Sequence, residues 1–154
     1  MQFSHLIEIN DILNPLIDTL SRDQLWKGLE RRARDPKRFV MSLDSCEITN
    51  DDGGSLRREL HFGSLVVRDQ VKMVPHDSVI YQVEAGAGFP ASTLVMRIEE
   101  PEPEHLFVRF EYSDSRPENE ASDKEALAYL RSAYVAADID TIRGIRQLAS
   151  EGEL

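Results

Sequence analysis

Cysteine is nearly absent from this chain: Cys46 stands alone among 154 residues, so no internal disulfide bond can form. The sequence also lacks an apolar run of the ~20 residues that span a bilayer. Met1 is followed by neither the basic segment nor the apolar core of a signal peptide. A single cysteine suits a reducing compartment. These absences predict a soluble, cytoplasmic protein without membrane insertion.

Positive charge is also scarce. The 18 Lys and Arg residues face 28 Asp and Glu residues, which gives a formal net charge of −10. Such a field repels polyphosphate and anionic membrane surfaces, so nucleic acid is not an expected partner. Hydrophobic residues make up 41% and charged residues 30% of the chain. This balance and length predict a single folded domain over residues 1–154.

Several chemical motifs are missing too. With one cysteine and no paired histidine spacing, no metal site is expected. The run Ala85-Gly86-Ala87-Gly88 contains a GxG without the third glycine that opens a helix, so it does not predict a dinucleotide site. No Gly-x-Ser-x-Gly, phosphate-binding loop or His-Glu-x-x-His motif is present. The sequence therefore predicts no cofactor.

Apolar and polar residues alternate along most of the chain, as is typical of antiparallel strands with one buried face. The alternation is clear in 65–74 and 106–112 and is repeated around 3–9, 79–83 and 94–98. Segment 56–62 is predicted to pair with 65–74 around a turn at Gly63-Ser64. Segment 43–49 alternates weakly, and we predict a strand there because 56–62 needs a second neighbour.

Two segments have helical periodicity instead. Ser21 and Gln24 form a predicted capping box for a helix over 22–34, which ends near Asp35-Pro36. A second capping box at Ser122 and Glu125 opens a helix over 123–149. The apolar stripe of this second helix comprises Leu127, Leu130, Tyr134, Ala137, Ile145 and Leu148.

The order of these elements predicts an α+β helix-grip fold. A curved antiparallel sheet of about seven strands would surround the long C-terminal helix, with a short helical segment between strands 1 and 2. The side chains of such a sheet do not fill its concave side, so a cavity between sheet and helix is expected.

A family resemblance covers nearly the whole chain. It is carried by the runs His5-Leu6-Ile7-Glu8-Ile9-Asn10-Asp11, Leu25-Trp26-Lys27-Gly28-Leu29, Leu56-Arg57-Arg58-Glu59-Leu60, Leu65-Val66-Val67-Arg68-Asp69 and Ala137-Asp138-Ile139-Asp140-Thr141-Ile142-Arg143. In these runs the chain resembles the AtaL-like branch of the START-like (SRPBCC) superfamily. The resemblance implies the helix-grip fold and a hydrophobic pocket. It implies no particular reaction and no catalytic residue.

The predicted hairpin register places two charges on the apolar face. With Gly63-Ser64 in the turn, Phe62 faces Leu65 and Arg58 faces Asp69. An isolated buried charge costs several kcal/mol, so each of these residues needs a partner. The pair could neutralise itself as a structural element, or it could hold the polar end of a ligand.

Asp138 is a second polar residue on an apolar face, between Tyr134 and Thr141 on the same side of the C-terminal helix. It could meet Arg58 and Asp69 inside the fold. Alternatively, the helix could roll so that Asp138 reaches water or Arg143. His5 shares a face with Phe3, Ile7 and Ile9, and we expect a hydrogen-bonded core residue there more readily than a base.

The predicted cavity-facing set comprises His5, Arg58, Phe62, Val67, Asp69, Tyr81, Met96, Phe110, Tyr134 and Asp138. The basic segment 31–38 is expected to be solvated and to meet acidic loops at 99–104 or 118–125, or alternatively to lie near an anionic ligand head.

The leading functional hypothesis is a binding module that stores, carries or senses a small, largely apolar molecule. The alternative, by analogy with the superfamily, is an acid/base enzyme of polyketide cyclase or dehydratase type that acts in the same cavity. A third possibility is a protein that works through its surface. A homodimer is compatible with the sequence.

Overall fold

The computed structural model describes residues 1–117 and 121–154, and within the last helix it describes side chains from Lys124 onward. The strands are β1 (Gln2–Glu8), β2 (Ser45–Asp51), β3 (Ser55–Phe62), β4 (Leu65–Val74), β5 (Ser78–Val83), β6 (Ser92–Glu102) and β7 (His105–Asp114). The helices are α1 (Arg22–Arg34) and α2 (Ala121–Ser150), and a short 3-10 helix follows α1 at Pro36–Arg38. The predicted order of elements is confirmed.

All seven strands form one antiparallel sheet in the order β1-β7-β6-β5-β4-β3-β2. Strands β2 to β7 follow one another as a meander, and β1 pairs with β7 and forms one edge of the sheet. The predicted register of the β3–β4 hairpin is confirmed, with Phe62 opposite Leu65 and Arg58 opposite Asp69. The weakly patterned β2 pairs with β3, as its position required. The curved sheet and the long terminal helix together give the helix-grip fold.

Helix α1 begins and ends where local chemistry predicts. The Ser21 side chain accepts from the backbone N–H of Gln24, and the Gln24 side chain accepts from the backbone N–H of Ser21. The helix stops at Arg34, ahead of Pro36. The predicted capping box at Ser122 lies outside the side chains that the structure describes.

Helix α2 has 30 residues, which correspond to a length of about 45 Å. Its buried face departs from the predicted stripe at Ala137, which is exposed, whereas Asp138 is buried on that face as the spacing predicts. Residues on a helix advance by ~100° each, so Asp138 lies between Tyr134 and Thr141, while Ala137 lies to one side. Neither described helix has a stretch both long and apolar enough to span a membrane.

The two helices approach each other closely at glycine positions. A Cβ atom on Gly28 of α1 would lie 2.4 Å from Cγ2 of Ile145 on α2. A Cβ atom on Gly144 of α2 would lie 2.7 Å from the ring of Phe39, which follows the 3-10 helix. These contacts fix how α1 docks on α2 and, with it, which side chains of α1 point toward the sheet. The core beneath them is fully buried and includes Leu25, Leu29, Val79, Met96, Val108, Phe110, Ile145 and Leu148.

Candidate ligand site

Arg58 and Asp69 form a buried, bidentate ion pair on the concave face of the sheet. Their exposed fractions are 4% and 7%. Arg58 donates from Nε to Oδ1 of Asp69 at 2.9 Å and from Nη2 to Oδ2 at 2.6 Å, and its Nη1 donates to the carbonyl of Ala33 at 2.8 Å. Burial opposes the guanidinium charge, but the hydrogen bond and charge of Asp69 outweigh it and raise the pKa of Arg58.

Tyr81 lies beside this pair on β5. Its ring centroid is 5.1 Å from the guanidinium carbon of Arg58 and 5.4 Å from that of Arg32 on α1. The residue is 3% exposed, and its hydroxyl has no hydrogen-bond partner among the described residues. Buried polar groups in native proteins are nearly always hydrogen-bonded, so this hydroxyl requires an explanation.

Asp138 is 1% exposed and points toward the sheet, but it does not join Arg58 and Asp69. It lies 2.6 Å from Nε2 of His5 and accepts from the hydroxyl of Tyr112 at 2.7 and 2.8 Å. The predicted polar triad with Arg58 is therefore wrong, and so is the alternative of a roll toward water. Arg143, the other predicted partner, pairs with Asp140 on the outer surface.

Burial is the main influence on the pKa values of Asp138 and Tyr112. It raises the pKa of the Asp138 carboxyl, against the hydrogen bonds from Tyr112 and His5 that lower it. Burial, together with the negative charge of Asp138, raises the pKa of the Tyr112 hydroxyl far above its ordinary value. Tyr112 therefore stays protonated and acts as a hydrogen-bond donor to Asp138.

Tyr134 and Thr141 flank Asp138, as the helical spacing predicts. The half-buried Tyr134 ring stacks on that of Tyr112 with centroids 3.8 Å apart, and burial raises the pKa of the Tyr134 hydroxyl. The Thr141 hydroxyl donates to the carbonyl of Ala137 and accepts from Nε of Arg32 at 3.0 Å. Arg32 thus connects the Tyr81 ring with the helix that carries Asp138.

The expectation for the basic segment 31–38 was partly wrong. Arg31, Arg34 and Arg38 lie on the surface, where they pair with Asp35, Asp51, Glu151 and Glu153 rather than with the loop at 99–104. The other predicted loop, 118–125, falls largely outside the described side chains. Arg32 instead turns inward. Its position three residues after the buried Leu29 is the sequence signal that could have identified it.

His5 is mostly buried and is hydrogen-bonded, in agreement with the simpler of its two interpretations. Its ring stacks near those of Phe3 and Phe110, with centroids 5.4 and 5.2 Å away. The predicted cavity residues Met96 and Phe110 are fully buried in the core. Their contact with a ligand stays a prediction.

Phe62 and Val67 are half-buried, and they belong to a larger apolar surface on the concave side of β2 to β5. We name this surface the open strip. Its members share the face of Arg58 and Asp69 by strand register, and two of them, Ile48 and Leu65, are 39% and 41% exposed. The open strip comprises Cys46, Ile48, Phe62, Leu65, Val67 and Val83.

Five clefts lined by described residues have volumes between about 430 and 550 Å³, and one of them includes Val83 of the open strip. Another lies between the segment Leu16–Leu20 and the end of α2. None of the five is lined by Arg58, Tyr81 or Asp138, so the predicted central cavity stays a prediction.

A curved antiparallel sheet that carries buried polar residues beneath a long terminal helix defines a protein of the helix-grip class. Residues 7–152 match the model of the AtaL family, described as acetylaranotin biosynthesis cluster protein L. The chain belongs to this family. No curated protein shows significant sequence similarity to it.

Solved structures share the fold at low sequence identity. The di-domain ARO/CYC StfQ from the steffimycin biosynthetic pathway superposes with a TM-score of 0.74 at 12% identity, over 97% of this chain and 51% of StfQ. The chain thus spans about half the length of StfQ. The Zhui aromatase/cyclase from Streptomyces sp. R1128 gives 0.66 at 12% identity, over 97% and 93% of the two chains. Ara h 8.0201 gives 0.65 at 10% identity, over 96% and 98%.

Proposed function

We propose that this protein binds a small, largely apolar molecule between the concave face of the sheet and α2. The observation that carries the proposal is the open strip, an apolar surface that continues directly into the buried Arg58–Asp69 row. Exposed apolar surface next to convergent polar groups is the usual composition of a small-molecule site. Phe62, Val67 and Tyr81, which belong to the predicted cavity-facing set, would line this site.

The dimensions of the open strip suggest the size of the ligand. Its residues lie on four neighbouring strands, β2 to β5, and three strand spacings of about 4.8 Å give a width of ~14 Å. An aromatic body of two or three fused rings fits that width. Two relatives in fold are named aromatase/cyclase or ARO/CYC, and the family is named after a biosynthesis cluster. These names support a biosynthetic intermediate as the ligand.

The neutral fluorophore N-phenylnaphthylamine tests this proposal, because its emission rises when it enters an apolar site. We expect saturable binding to the wild-type protein. A Val67→Lys variant places a charge on the open strip and should weaken binding about tenfold or more, because the ammonium must be desolvated for the probe to bind. Leu13→Lys is the matched control, since Leu13 is 88% exposed on a loop away from the sheet.

Equal binding by wild type and Val67→Lys would refute the proposed location. Loss of binding in Leu13→Lys alone would instead assign the probe to the exposed apolar loop near residues 12–17. Native mass spectrometry of the purified protein complements the titration by detecting a co-purified small molecule.

A second candidate function is acid/base catalysis at His5. When the Asp138 carboxylate accepts from Nε2 of His5, the opposite nitrogen, Nδ1, is left as a basic lone pair. Asp138 then fixes the tautomer and orientation of the imidazole, and Tyr112 holds Asp138 in place. This arrangement could remove a proton from the carbon next to a ketone.

Proton exchange of β-tetralone in deuterated water tests the catalytic candidate without knowledge of the natural substrate. The proton passes from the α-carbon to Nδ1, and the resulting enolate takes up a deuteron from the solvent. We expect wild-type protein to accelerate exchange, measured by NMR, and His5→Gln to abolish the acceleration. Tyr129→Phe, at an 80% exposed position, is the control. Equal rates for wild type and His5→Gln would exclude His5 as the base.

A further inference from the structure

Arg32 differs from the other arginines of its segment in how its guanidinium is used. Arg31, Arg34 and Arg38 each pair with a carboxylate at the surface. Arg32 donates from Nε to the Thr141 hydroxyl, and within the described part of the chain its terminal nitrogens Nη1 and Nη2 have no hydrogen-bond partner. A half-buried guanidinium thus keeps two nitrogens available on the inner side of α1.

The unpartnered hydroxyl of Tyr81 is an independent observation at the same place. The Arg32 guanidinium lies over the Tyr81 ring, and Tyr81 is only 3% exposed. Among the residues the structure describes, nothing hydrogen-bonds to this hydroxyl. A phenol and a guanidinium can both donate to one oxygen, and an anionic oxygen is the acceptor that gains most from both.

The charges around this place also favour an anion. Arg58 and Asp69 neutralise each other through their bidentate ion pair. Asp138 interacts electrostatically with Arg32, but it takes its hydrogen bonds from His5 and Tyr112. The hydrogen-bonding capacity of Arg32 is therefore left for a guest, and a cationic guest would be repelled by the Arg32 guanidinium.

We infer that Arg32 and Tyr81 form an anion anchor, and that the ligand is an apolar, ring-containing acid with a carboxylate, an acidic phenol or an enol at one end. This inference rests on the proposed function and specifies its ligand class. The apolar body would lie along the open strip, and the acidic oxygen would accept from the Tyr81 hydroxyl and from a terminal nitrogen of Arg32.

A matched pair of fluorophores tests the anchor. Anilinonaphthalene sulfonate and N-phenylnaphthylamine share their ring system, and only the first carries an anionic group. We expect the wild-type protein to bind the sulfonate about tenfold or more tightly than the neutral probe, in line with the strength of charge-assisted hydrogen bonds. Arg32→Met and Tyr81→Phe should each remove most of that preference.

Two features keep this test decisive. Tyr81→Phe deletes an unsatisfied buried hydroxyl, so it should fold at least as well as the wild type. Arg143→Met removes one positive charge from a surface residue whose side chain is 74% exposed, and it should keep the preference. A preference that survives in both Arg32→Met and Tyr81→Phe overturns the anchor alone. Failure of both probes to bind the wild-type protein overturns the anchor together with the proposed function.

Discussion

Breaking the buried pair with Asp69→Val should be strongly destabilising. The substitution leaves the Arg58 guanidinium buried with the Ala33 carbonyl as its remaining partner. Removing one member of a buried ion pair typically costs about 3–5 kcal/mol. For a chain of 154 residues this corresponds to a fall in Tm of roughly 6–20 °C. Arg58→Met should cost a similar amount because it leaves the Asp69 carboxylate without a counter-charge.

The double variant Arg58→Met/Asp69→Val should behave differently. It removes both charges and places apolar side chains of suitable size on an apolar face. The main remaining loss is the hydrogen bond to Ala33, worth about 1 kcal/mol. We therefore expect the double variant to lie within about 2 kcal/mol of the wild type. The two single costs would then be far from additive.

Urea unfolding followed by circular dichroism measures these differences, provided the slope with denaturant is the same in all variants. A double variant that costs the sum of the two single variants would refute the reasoning. So would single variants that cost less than about 1 kcal/mol. The same double variant should still bind N-phenylnaphthylamine, because this neutral probe is proposed to bind the apolar open strip and not the charges of the Arg58–Asp69 pair. Loss of that binding would assign the pair a direct role in the site.

Three further predictions follow from individual contacts. Burial raises the folded-state pKa of Asp138 above its ordinary value of 3.8, so the stability contributed by its protonated form is full below pH 3.8 and is lost as pH rises through the folded pKa. Asp138→Asn should therefore gain stability relative to wild type as pH rises above 3.8. Urea unfolding at each pH measures the difference, and a difference that stays constant with pH would contradict this reasoning. Gly28→Ala places a Cβ atom 2.4 Å from Ile145 and should lower the free energy of unfolding, measured by thermal unfolding, by about 1–3 kcal/mol. Gly54→Ala is the control, because its Cβ atom would lie 3.9 Å from the nearest side-chain atom, and it should cost less than that range. Asn10→Ala removes the side-chain partner of the Leu20 and Glu104 carbonyls and of the Leu20 N–H, and it should lower the free energy of unfolding by about 2 kcal/mol or more. A change below about 0.5 kcal/mol would show that these buried hydrogen bonds add nothing to stability.

The Arg58–Asp69 contact could be predicted because it depends on local rules. Alternation of side chains along a strand and a two-residue turn at Gly63-Ser64 fix which residues face each other, whatever the rest of the chain does. The limits of α1 are local for the same reason, since Ser21 and Pro36 act within one turn of the helix ends. The fold class follows from the order of such elements along the chain.

The partners of Asp138 could not be predicted from spacing. Helical periodicity places Asp138 on the inner face of α2, but His5 and Tyr112 come from β1 and β7, far away in sequence. Which strand residue meets Asp138 depends on where α2 crosses the sheet. Arg32 was assigned to the surface because its neighbours in sequence are charged, although its place beside Leu29 turns it inward.

The sequence by itself therefore determined the strands, the register of the β3–β4 hairpin, the first helix and the presence of two charges on an apolar face, because each follows from interactions between residues close along the chain. The tertiary structure alone decided how the polar residues are grouped. The close approach of Gly28 to Ile145 sets the docking of α1 on α2, and that docking brings Arg32 to Tyr81 and leaves Asp138 to His5 and Tyr112. Packing between distant elements has no periodic signature in a single sequence, which is the physical reason for this division.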